Sequence, residues 1–137
     1  MNRISDKLIE IEKYLEELES ILPLDFEEYK KNFKIKAVGE RYFEKIVEAV
    51  IDLAFLVAGE KRLRKPEEEE GIFSVLKDNK ILSEELCLKL QDAKGMRNII
   101  SHQYGKINDE LVFNSLTEEL IPDVNEFLGV IENLDFG

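Results

Sequence analysis

The chain has a single cysteine, Cys87, so no internal disulfide framework can hold it together. That fits a reducing compartment, and the cytoplasm is the expected location. A single histidine, His102, beside that one cysteine falls short of the ligand set of an ordinary zinc site. Neither a metal nor a cofactor is expected. No apolar run approaches the ~18 residues of a membrane span, and the opening MNRISDKLIEIEK is too charged for a secretion signal. A glycine-rich phosphate loop, a strand-like alternation and an internal repeat are likewise missing. Positive charge is scarce: 19 Lys and Arg face 30 Asp and Glu, for a net charge of −11. Broad, nonspecific nucleic-acid binding needs a basic surface and is disfavoured, whereas a small site that handles one phosphate is not.

What remains is a globular composition, with 44% hydrophobic and 36% charged residues in 137. One domain over residues 1–137 is the simplest organisation. Ile4, Leu8, Ile11, Leu15, Leu18 and Leu22 recur in steps of three and four and predict a first helix, stopped by Pro23. Asp25 reads as the start of a second, from about Phe26 to Gly59, with an interruption expected near Val38-Gly39. Its second half, IVEAVIDLAFLVAG, is apolar on nearly every side and belongs at the centre. EKRLRKPEEEE at 60–70 reads as a loop. Its opposite charges cancel in the plain reading, and its basic half touches RNA or an acidic partner in the sharper one. A short helix carries Ile72, Phe73, Val75 and Leu76. Ser83-Glu84-Glu85 looks like an N-cap with acids in the first turn of a fourth helix. The last segment begins at Asn108 or Asp109 and aligns Val112, Leu116, Leu120, Val124, Phe127, Ile131 and Leu134. Pro122 should bend or divide it. The expectation is all-α: an up-and-down bundle of about five helices.

Polar chemistry gathers in GMRNIISHQYG, residues 95–105. Leu86, Leu90, Ala93 and Arg97 follow one another on the fourth helix, so a guanidinium stands where the pattern asks for an apolar side chain. Burying it is costly unless it is paired or faces a wet cleft. Arg97 and His102 lie about 140° apart on a regular helix and cannot share a face. Either the helix breaks near Ser101, before Gly105, or the two groups meet through a second copy of the chain. Both alternatives stand at this point. The set suits phosphodiester cleavage: histidine can move a proton near neutral pH, and an arginine fork can hold phosphate charge. RNA supplies its own nucleophile, the 2′-hydroxyl, so no metal is required. Asn98 would donate to a phosphate oxygen or orient the histidine. The bland alternative is a histidine that caps or packs a helix end.

The pattern Arg97-Asn98-Ile99-Ile100-Ser101-His102-Gln103-Tyr104 resembles the signature of HEPN domains, and most closely the HepT branch, the toxins of HepT/MntA (HEPN/MNT) toxin–antitoxin systems. The likeness extends to ERYFEKIVEAVIDLAFLVAG at 40–59, and to the segments around Phe73 and Ser83-Glu84-Glu85-Leu86. It covers roughly residues 35–135. The resemblance implies a metal-independent endoribonuclease acting as a homodimer, with both motifs in a cleft at the interface. It places Arg97 and His102 in catalytic positions with Asn98 as the polar neighbour. It also matches Tyr104 to the tyrosine that a cognate MntA-like nucleotidyltransferase antitoxin modifies with AMP. RNA is the implied substrate, and no membrane is involved.

Two other readings stay open. One is a HEPN-type binding module without nuclease activity, which binds a nucleotide or pairs with a nucleotidyltransferase. The other is a structural helical dimer whose motif merely caps a helix. Glu48 and Asp52, four apart in the central helix, belong to a polar stripe with Arg41, Glu44 and Lys45, or else line the dimer cleft and orient Arg97 or His102. Cys87 and the phenylalanines read as packing.

Overall fold

The computed structural model describes residues 2–67, 71–102 and 107–136. Its elements in chain order are α1 (Asn2–Ile21), α2 (Phe26–Lys31), α3 (Phe33–Glu60), α4 (Ile72–Asp78), α5 (Glu84–His102), α6 (Asp109–Asn114), a π-helical turn (Ser115–Leu120) and α7 (Ile121–Glu132). The described residues contain no strand, and no helix among them is long and apolar enough to cross a membrane.

The all-α expectation is met, with one division moved. The segment from Phe26 does break, but at Asn32 and not near Val38-Gly39. Asn32 turns out of the helix, and its side chain accepts from the backbone N–H groups of Lys34 and Ile35, which caps α3. Gly39 stays inside α3 for a packing reason: a Cβ there would lie 3.3 Å from Leu116 Cδ1 and 3.5 Å from the Tyr29 ring. The remaining punctuation follows the sequence. Asp25 accepts from Glu28 N at 2.9 Å, Ser83 from Leu86 N at 3.0 Å, and Asn108 from Leu111 N at 3.1 Å. Pro122, just inside α7, has no N–H to offer the preceding turn, and the wide π turn before it absorbs the mismatch without ending the rod.

α3 is the central rod, with Phe43, Ile46, Leu53, Ala54, Val57 and Ala58 at most 1% exposed. α1 lies antiparallel to it. Tyr42 Oη donates to Glu17 Oε1 at 2.9 Å, the Lys45 ammonium sits 4.5 Å from the Tyr14 ring centre, and Lys7 approaches Asp52 at 3.8 Å. Those pairings run in opposite chain directions. On the far side α5 packs against α3 and α7. Phe73 of α4 meets Phe127 of α7 edge-on with centroids 6.3 Å apart. Lys61, at the start of the basic run, reaches the Asp135 carbonyl and lies over the Phe136 ring, so part of that run is used inside the fold.

Because Leu116 and Tyr29 already occupy the space beside Gly39, Gly39→Leu should overpack the contact between α3 and the terminal rod. We expect a loss of about 1–3 kcal/mol in urea denaturation. Unchanged stability would show that the contact is looser than described.

Candidate active site

α5 starts conventionally. Ser83 caps it, Glu84 and Glu85 occupy its first turn, and Leu86, Cys87 and Leu90 are buried against the bundle. Burial pushes the Cys87 thiol pKa up, which agrees with a packing role. Beyond Leu90 the same inward arc turns polar, through Lys94, Arg97 and Ser101, with Ile100 still buried beside them.

Lys94 is only 4% exposed, a buried charge about one turn before Arg97 that the sequence reading missed. Its signal was present: Leu86, Leu90 and Lys94 follow at steps of four. Arg97 is half-buried, and its Nε donates to Asn98 Oδ1 at 3.0 Å. In this structure Asn98 therefore orients the arginine, a role distinct from either one expected for it.

α5 runs unbroken through Ser101 to His102, the last residue described in it, which is exposed. A helix break at Ser101 is thus excluded as the way to unite Arg97 and His102. On the continuous helix they stand about 140° apart and roughly 7.5 Å along the axis. Tyr104, with Gln103 and Gly105, lies outside the described residues.

A second missed residue is Glu44. Ser101 Oγ donates to Glu44 Oε2 at 2.6 Å, which joins the last turn of α5 to the middle of α3. Such a short contact is typical of a hydroxyl on a carboxylate. Beside it lies an open groove of about 440 Å³, lined by Glu40, Arg41, Glu44, Ile100 and Ser101 among others. Burial raises the Glu40 carboxyl pKa, and the nearby Asp109 carboxylate raises it further. Glu48 is exposed, and Asp52 faces α1 at 3.8 Å from Lys7. The polar stripe on α3 therefore divides: Glu44 at one edge meets α5, and Asp52 at the other meets α1. Among the described residues no group of three His, Cys, Asp or Glu side chains is placed to hold a metal ion.

The chain matches the family described as Ribonuclease HepT-like over residues 11–131. It is 24% identical over 129 residues to the mRNA nuclease HepT of Shewanella oneidensis, covering 94% of this chain and 96% of that protein. It is also 24% identical over 135 residues to the tRNA nuclease HepT of Aphanizomenon flos-aquae, with 94% and 92% covered. Among solved structures it resembles a tri-AMPylated HEPN toxin of Shewanella oneidensis in complex with MNT antitoxin. The TM-score is 0.87 at 23% identity, over 96% of this chain and 97% of that one. This last likeness establishes a shared fold.

The raised pKa of Glu40 has a measurable consequence. A carboxyl that holds its proton more tightly in the folded state favours folding at acidic pH and opposes it as pH rises through the folded value. Glu40→Gln should therefore raise Tm at pH 7 relative to wild type, with the gain disappearing near pH 4. A gain of equal size at both pH values would rule out titration of Glu40 as its source.

Proposed function

The chain belongs to the HepT-like ribonuclease family, and from that premise we propose that it is the toxin of a HepT/MntA-type pair. In this reading it is an endoribonuclease neutralised by AMP addition. One observation carries the reading: the family match spans the whole of α5, and with it Arg97, Asn98 and His102. Its relatives act on mRNA and on tRNA, so the substrate class is RNA, and its place of action is the cytoplasm. We take residues 1–137 as one HEPN-type domain.

In the proposed reaction His102 accepts the proton of a 2′-hydroxyl, and that oxygen attacks the adjacent phosphorus. The 5′ oxygen leaves and takes up a proton. Arg97, steadied by Asn98, holds the phosphate oxygens as charge grows on them. Because Arg97 and His102 occupy different faces of one unbroken helix, a single site needs a second copy of the chain. The outward face of α5 suits that copy. Leu88 is 54% and Ile99 37% exposed on the side that carries His102, and Gly95 lies between them with open space where a Cβ would be. Two such faces related by a two-fold axis would bring the two His102 side chains close to one another. Glu48 and Asp52 remain proposed only as distant support for that cleft.

Control would fall on Tyr104. Its phenol gives up its proton, the oxygen attacks the α-phosphorus of ATP in the nucleotidyltransferase, pyrophosphate leaves, and the added phosphate brings negative charge to the motif. The solved toxin from Shewanella oneidensis is tri-AMPylated, which supports a modification of this kind here.

Arg97→Ala and His102→Ala should each lower RNA cleavage by ~10²–10⁴-fold while the circular dichroism of the bundle is unchanged. Cleavage by wild type should persist in EDTA. A His102→Ala protein that cuts RNA like wild type would end the catalytic assignment. Ile99→Asp should turn a dimer into a folded monomer by light scattering, with cleavage lost; an active monomer refutes the shared cleft. Coexpression with the nucleotidyltransferase should add AMP mass units at Tyr104. Modification confined to Tyr14, Tyr29 or Tyr42 would refute this mode of control.

A further inference from the structure

His102 is the last described residue of α5, and its direction is set by the turn that carries it. The residues before it hold that turn in two ways. Ile100 is buried, 5% exposed, which holds the turn against the core without fixing its rotation. Ser101 supplies the directional hold, through its 2.6 Å hydrogen bond to Glu44 across 57 positions of chain. Glu44 itself stands on the long central helix, directly after buried Phe43 and two residues before buried Ile46, so its backbone is anchored.

We propose that Glu44 is the positioning residue of the site: by holding Ser101 it sets the rotation of the last turn of α5, and so the direction in which His102 presents its imidazole. The inference rests on the nuclease reading for its consequence in catalysis, but not for the positioning itself. A charge-assisted hydrogen bond from a rigid helix suits such a role, because its geometry is narrow where apolar contact is permissive. Proton transfer is steep in distance, and displacements of about 1 Å cost up to ~10²-fold in rate.

The test uses three variants of the full chain: Glu44→Ala, Ser101→Ala and Glu44→Gln. Glutamine keeps an oxygen that accepts from Ser101 but loses the charge. If Glu44 positions, Glu44→Ala and Ser101→Ala should each lower kcat by roughly ten- to hundredfold, with KM held within about twofold. Their double variant should be no worse than either single one. Glu44→Gln should retain most of the rate. A second readout needs no nuclease activity. His102 is the only histidine in the chain, so its imidazole proton resonances are identified without assignment. They should shift and broaden in Glu44→Ala and Ser101→Ala, and remain near wild type in Glu44→Gln. Should Glu44 act only through its charge, Glu44→Gln would match Glu44→Ala and Ser101→Ala would match wild type, which overturns the proposal. Unchanged His102 resonances in Ser101→Ala overturn it as well. If wild type fails to cut RNA, the nuclease reading falls, and the histidine resonances still decide whether Glu44 positions the helix end.

Discussion

Burial of the second half of α3 is the constraint from which the rest of the molecule takes its places. An apolar helix surrounded by apolar contact must be enclosed by other helices, each of which gives up one face to it. α1 supplies one wall through Ile11, Leu15 and Leu18. α2, α5 and the π turn supply others, and α4 closes an end with Phe73. Each fully buried Leu, Ile or Phe contributes about 1.5–3 kcal/mol, so the central helix is held at many points and tolerates the polar exceptions on its neighbours.

Those exceptions concentrate on α5. Its first two turns give their inner arc to the core, and its later turns place Lys94, Arg97 and Ser101 on the same arc. A helix that buries an ammonium and half-buries a guanidinium forgoes apolar contact and must supply polar partners. Asn98 takes the Arg97 Nε, and Glu44 takes Ser101. Stability is thus given up where function is proposed, a trade common to sites built on rigid elements.

The acidity of the chain is not uniform either. Carboxylates crowd between α1 and α7, where the Glu12 pKa is raised first of all by its hydrogen bond with Glu132. At the other end of α1, Arg3, Lys7 and Lys65 line a groove of about 630 Å³ together with Asp52 and Glu60. A net charge of −11 therefore averages over an acidic face and a mixed one.

The sequence by itself determined the helical class, the order of the elements and most of their ends. These depend on local information: the spacing of apolar side chains, and the capping of orphan N–H groups by Asp25, Ser83 and Asn108. It also carried Arg97, Asn98 and His102, because their spacing is a local pattern. What only the tertiary structure decided are relations between distant residues. Gly39 reads as a helix breaker until Leu116 is seen against it. The Glu48 and Asp52 spacing suggests cleft support, yet the edge of α3 that meets α5 carries Glu44, and Asp52 turns to Lys7. Nothing local pairs residue 44 with residue 101. Periodicity specifies which side of a helix faces inward, but which neighbour it meets, and at what height, follows from how the helices pack as a set.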